Sequence, residues 1–178
     1  LREGVAWKTF VRKHAEWQVS FNEENAKPHR AYGTGIQTIG TSLERRAMNF
    51  IQNELAGFTI PVNDLVHMAP ASSRKHHHVN YYQNYKGLKV LGSRLTVKMT
   101  KDYKVILFGL DVYDDINIDI EPAISTVKAI RVAEEGMVNQ ILSTTVSPDL
   151  FVIPVPANKK NEYHLVYEIL VNTTDDLG

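Results

Sequence analysis

Cysteine is absent from all 178 residues. That single absence removes disulfides, thiolate nucleophiles and CxxC metal sites together, and with them any inhibitory device that silences a zinc ion with a thiolate. Long apolar runs are also missing, since none approaches the roughly 18 residues that a membrane-spanning helix needs. Charge of one sign is not in excess: 20 lysines and arginines balance 20 aspartates and glutamates. The chain as a whole therefore sets up no net field to draw nucleic acid or anionic lipid. The basic pairs Arg74-Lys75 and Lys159-Lys160 read as loop residues. The chain opens at Leu1, not at a methionine followed by a signal-like core, which reads as a processed or otherwise defined start.

What is present is ordinary globular material. A hydrophobic content of 43%, with ten glycines and seven prolines, excludes a disordered or fibrous chain. Residues 5–14 place Trp7, Phe10 and Val11 at helical spacing, which predicts a short amphipathic helix or else a mobile arm. Trp17, Val19 and Phe21 then alternate with polar residues, a half-buried strand turning at 25–28. Gly33, Gly35 and Gly40 suit a tight crossing or an irregular strand; GxGxxG is not completed, so a phosphate loop is not expected. The clearest helix covers 41–57. Thr41 is its expected N-cap, with Glu44 three residues on as a capping box, Leu43, Ala47, Phe50, Ile51 and Leu55 as its apolar stripe, and Gly57 as its stop.

A small-residue linker over 61–75 precedes three expected strands at 79–85, 92–99 and 105–112. Lys86-Gly87 supplies positive φ for one tight turn, and Lys101-Asp102 marks a short hairpin loop. After an acidic break at 114–122, a second helix begins near Ser125, with Val127, Ile130, Ala133, Met137 and Ile141 along one side. Strands at 150–155 and 163–171 follow, joined by a polar loop at 157–162. The order predicts an α+β chain of two small antiparallel sheets, each packed by one helix, and leaves no crossovers for an alternating parallel fold.

The stretch from His78 to Ser93, HVNYYQNYKGLKVLGS, resembles the fungalysin/thermolysin propeptide family, in which Gln-x-Tyr-x-Gly leads through a turn to Val-x-Gly. Gln83, Tyr85, Gly87, Val90 and Gly92 fall on that pattern; Lys89 stands where proline is usual and Leu91 where an aromatic is common. Residues 17–36 are similar to the segment ahead of the propeptide helix in fungalysin-type proteases, and 125–136 with 163–168 to the cystatin-like PepSY module that accompanies such pro-regions. The resemblance implies an N-terminal arm and first strand (1–40), a propeptide-motif subdomain (41–115) and a PepSY-like subdomain (116–178) cut short of a final strand. It also implies a secreted, extracellular or periplasmic setting, and a non-catalytic pro-region that inhibits a zinc metalloprotease, helps its catalytic domain to fold, and is removed on activation. The alternative is a freestanding module that inhibits a protease in trans or acts as a surface interaction protein.

Residue patterns for chemistry are sparse. No HExxH helix, no GxSxG serine and no cofactor loop occurs, so no catalytic residue and no cofactor is expected. Within the triplet His76-His77-His78, an extended backbone puts His76 and His78 on one side as the candidate metal pair, against the plainer reading of a solvated strand entry. Asp111, Asp114, Asp115, Asp119 and Glu121 lack the glycine and offsets of an EF-hand and read as a solvated acidic loop. The turn from Gln83 to Gly92, with Tyr85 and Val90 in it, is expected to be structurally necessary before it is an interface; Gly87 and Gly92 are expected to hold backbone geometry, and Tyr82 and Tyr85, with Tyr81, to pack on the sheet and not on nucleic-acid bases. Asn172-Thr173-Thr174 is a glycosylation sequon of low specificity. The expected partner is a protease catalytic domain.

Overall fold

The computed structural model describes residues 4–23, 25–69, 71–158 and 160–174. Leu1, Lys159 of the second basic pair, and the chain end at 175–178 lie outside the described residues. In chain order the elements are α1 (Val5–Lys13), β1 (Gln18–Phe21), β2 (Pro28–Gln37), α2 (Leu43–Glu54), short 3-10 turns at Ala56–Phe58 and Val62–Asp64, β3 (Leu65–His67) and β4 (Ala71–Ser72). Then come β5 (His76–Tyr85), β6 (Leu88–Val90), β7 (Arg94–Thr100), β8 (Lys104–Asp111), α3 (Thr126–Glu135), β9 (Ile141–Ala157) and β10 (Lys160–Thr173).

The α+β class is as the alternation of patterns predicts. The strands run β1-β2-β8-β7-β5-β6-β9-β10, with β3 and β4 on the outer edge of β5. Two separate antiparallel sheets were expected; they are joined instead through the three-residue β6, antiparallel to β5 but parallel to β9 at Lys89↔Phe151 and Val90↔Val152. A parallel pair needs a long connection, and residues 91–140, carrying two strands and a helix, supply it.

Side-chain alternation sorts the first half into two faces. Val79 and Tyr81 of β5, Leu95, Val97 and Met99 of β7, and Val105, Phe108 and Leu110 of β8 are buried in one core with α1 and α2, and Gln83 is buried on the same face of β5. Phe108 is the hub, its ring 5.3 Å from Phe10, 5.5 Å from Trp17, 5.8 Å from Phe50 and 6.4 Å from Phe58. One aromatic thus ties α1, the start of β1 and α2 to the sheet. α1 is accordingly a packed helix with Trp7 and Phe10 buried, not a mobile arm.

Other differences have local causes. The N-cap of α2 is Ser42, whose Oγ accepts the Arg45 N–H at 3.1 Å, not Thr41; the stripe of Ala47, Phe50, Ile51 and Leu55 is buried as the periodicity requires. The 61–75 linker holds β3 and β4, too short for any period to show. α3 stops at Glu135, so Met137 leaves the helix and Ile141 starts β9; Val127 is 69% exposed, and Ala129 is the helix's one buried residue. The two last strands run far beyond 150–155 and 163–171 and pair as a long ribbon with bulges at Tyr167/Ile169 and Asn172/Thr173.

Candidate functional site

The strand-turn-strand of β5 and β6 is where the two halves meet. Lys86 (φ 49°) and Gly87 (φ 93°) form its turn, both left-handed, and the Gly87 N–H donates to Asn84 Oδ1 at 2.7 Å. Gly92 (φ 72°) makes the second bend, closed by Ser93 Oγ, which donates to Val90 C=O at 2.6 Å and accepts the Gln83 N–H at 2.8 Å. Positive φ favours glycine at both bends.

Gln83 is 1% exposed, and its carboxamide spans one residue of a distant segment. Its Nε2 donates to Tyr113 C=O at 2.6 Å and its Oε1 accepts Tyr113 N–H at 2.8 Å. Two residues along, Tyr85 Oη repeats the device, donating to Ile118 C=O at 3.2 Å and accepting Ile118 N–H at 3.3 Å. Lys86 Nζ also donates to Ile118 C=O. Two side chains of β5 therefore fix the main chain of 113–118, the segment that carries the chain from β8 toward α3. Val90 sits beneath it with Val152 and Tyr113, fully buried, among Tyr85, Leu88, Ile116, Ile118 and Tyr163. Tyr82 faces the other side of the sheet, half-buried, with Lys89 Nζ 5.3 Å from its ring centroid.

The acidic residues do not converge on a shared site. Asp111 is held by His29 Nδ1 at 2.8 Å and Arg30 Nη1 at 3.2 Å, and Asp114 by the buried Lys27 Nζ at 2.6 Å. Asp115 accepts from the Tyr163 hydroxyl, and burial together with that carboxylate holds the phenol above its ordinary value. These partners lie 48 to 87 residues away from their carboxylates, which is why sequence reading saw only a loop. Among the described residues no three His, Asp or Glu side chains gather to hold a metal. His76 and His78 do share a face, ring centroids 6.4 Å apart. Partial burial and the charges of Lys98, Lys75 and Lys101 hold the His76 imidazole below its ordinary pKa. His77 points away, accepting or donating with Ser72 Oγ at 2.9 Å and stacking on Tyr103.

A 360 Å³ hollow opens between α1 and the end of α2, lined by Thr9, His14, Glu54 and Phe58 among others. Glu54 is engaged there by Lys13 Nζ and His14 Nε2, both at 2.7 Å. Burial alone would raise its pKa; the bonds and charges of Lys13 and His14 outweigh this and leave it below its ordinary 4.5. A lowered carboxylate pKa stabilises the fold above the ordinary value and loses that contribution as pH falls through the folded one. Glu54→Gln is therefore expected to melt below wild type at pH 7, with the gap closing as the buffer is taken from pH 5 to pH 3; a gap that stays constant would show that the ion pair does not clamp α1.

Part of this region matches a known family. Residues 76–112 match the fungalysin/thermolysin propeptide motif. The matched stretch begins with β5 and ends one residue past β8, so Gln83, Tyr85, Gly87, Val90 and Gly92 all lie inside it, while the Tyr113 that Gln83 grips lies just outside. The chain carries, at its structural junction, a motif of protease propeptides. No curated protein sequence matches the chain. Among solved structures, the Bacillus megaterium YpeB C-terminal domain superimposes with a TM-score of 0.39 at 16% identity, covering 98% of this chain and 89% of that one.

Proposed function

We propose that the chain is the non-catalytic pro-region of a secreted zinc metalloprotease of fungalysin type, holding the catalytic domain inactive and helping it fold until it is cleaved away. The observation that carries this reading is the coincidence of the propeptide motif with the double clamp of Gln83 and Tyr85 on 113–118. A motif placed at the joint of a two-part fold sets the orientation of both parts, as a scaffold that must match another surface requires. In this reading 41–115 is the propeptide-motif subdomain, onto which 1–40 packs, and 116–178 is the PepSY-like one.

Inhibition then follows from occupancy without cleavage. Protease clefts of this kind take substrate as an extended strand along an edge, so a pro-region strand supplies main-chain hydrogen bonds whatever its side chains are. An interface of about 1,000 Å² or more gives specificity, and binding only the folded catalytic domain stabilises it by mass action. The test is to mix this chain with a fungalysin-type catalytic domain and follow peptidase activity. Loss of activity at micromolar chain is the expected result, and full activity at that level overturns the reading.

A further inference from the structure

The buried side chains of α1 and α2 pack on one face of the first-half sheet, and the opposite face carries most of the exposed and half-buried side chains of its strands. Its cross-strand rows follow from the register. One runs His78, Lys98, Leu107, Tyr32, Gln18 and another joins Arg94 to Asp111. Arg30 lies along this face above Gly109, where an added Cβ would sit 2.5 Å from its Nη1. The missing side chain of Gly109 thus makes the bed in which the guanidinium lies flat and reaches Asp111 Oδ2.

Basic side chains outnumber the one carboxylate in these rows. Arg30, Arg94 and Lys98 stand on it, and Lys75 and Lys101 act on His76 at its border. Its carboxylate, Asp111, is 9% exposed and already bound by His29 and Arg30. Arg94 and Lys98 have no ion-pair partner among the described residues. In a chain whose cations and anions cancel at 20 each, a basic face is a matter of placement and not of composition. Alongside the charges stand Tyr32, 51% exposed, half-buried Tyr82 and half-buried Leu107. Tyrosine and arginine over a flat, partly apolar bed is the composition that interface cores favour, whereas a merely solvated antiparallel face has no need of exposed aromatics.

We propose that this open face, centred on Arg94, Lys98 and Tyr32, is the surface that docks on an acidic region of the protease catalytic domain. The proposal rests on the pro-region reading above and adds to it a location and a sign. Complementary charge speeds encounter and fixes register, so removing it slows association and weakens its dependence on salt.

The experiment compares wild type, Arg94→Glu with Lys98→Glu, and a control of equal charge change on α3, Lys128→Glu with Arg131→Glu, both exposed. Thermal melting of each protein establishes that all three are folded. Association with a fungalysin-type catalytic domain is timed at low and high salt, with residual peptidase activity read alongside. The expected result is that the open-face variant associates about 10- to 100-fold more slowly at low salt, converging on wild type at high salt, while the α3 control stays within about 3-fold. If wild type inhibits and both variants match it, or both slow equally, the face is not the docking surface and the pro-region reading stands. If wild type neither binds nor inhibits, the reading fails and the proposal with it. Binding of wild type to phosphatidylserine vesicles, lost in the open-face variant, with no binding to the catalytic domain, would overturn the assignment in favour of a lipid surface.

Discussion

Gln83→Leu is expected to lower the melting temperature by about 5–15 °C. The side chain is 1% exposed and makes two bonds, of 2.6 and 2.8 Å, to the main chain of Tyr113. Leucine fills most of the volume but deprives the Tyr113 N–H and C=O of both bonds in a setting with little water to replace them. Losing a buried partner costs about 1–3 kcal/mol per group, so the pair comes to about 2–6 kcal/mol. For a chain of this size each kcal/mol moves the midpoint by about 2–4 °C. Tyr85→Phe, which removes the longer bonds to Ile118 but keeps the ring packed near Val90, should cost about 1 kcal/mol. A Gln83→Leu protein melting within about 2 °C of wild type would mean that the clamp contributes little to the joint.

That clamp also marks where sequence reading stops. The strand pattern of β5 and the turn at Lys86-Gly87 are legible because they are local: alternation separates Val79, Tyr81 and Gln83 from Asn80, Tyr82 and Asn84, and positive φ calls for glycine. Resemblance singled out Gln83 and Tyr85. Their partners, Tyr113 and Ile118, lie 30 and 33 residues away in a segment without periodicity, so nothing local announced them. Ser93, whose hydroxyl closes the second bend, went unmarked for another reason: a serine in a turn is common, and only the bend brings its hydroxyl to Val90 and Gln83 at once. Distance along the chain also hid the pairs Lys27–Asp114 and His29–Asp111, which turn an apparent acidic loop into a set of cross-chain ties. Thr41 and Ser42 are equally able caps side by side, and the extended backbone at Ser42 (φ −132°, ψ 164°) decides between them. β6 is three residues long, and its parallel register with β9 rests on the burial of Val90 and Val152 against each other, a contact across 62 positions of sequence. The basic open face was invisible for a different reason: alternation tells which residues share a face of one strand, but only register tells which strands lie side by side.

Gly33→Ala is expected to be the second severe substitution, although it adds a single methyl group. A Cβ on Gly33 would lie 2.5, 2.6 and 2.8 Å from Cγ, Cδ1 and Cδ2 of Trp17, inside the distances that packed carbons adopt. The indole has no free direction in which to retreat. It is 6% exposed, its Nε1 donates to Thr34 C=O at 3.0 Å, and its ring is 5.3 Å from Phe10 and 5.5 Å from Phe108. Moving it breaks that bond or pushes on the hub that joins α1 and α2 to the sheet. Overpacking of this kind costs about 1–3 kcal/mol, and the upper part of that range applies because the neighbours are themselves locked, so a drop of about 5–10 °C is expected. Gly57→Ala provides the contrast, since its Cβ would meet Ala6 at 3.5 Å, an ordinary contact, and should leave the midpoint nearly unchanged. The decisive measurement is a cycle with Trp17→Leu. If the clash is with the indole, Gly33→Ala costs far less when Trp17 is already leucine, and the two changes are strongly non-additive; additive losses would place the strain in the β2 backbone instead.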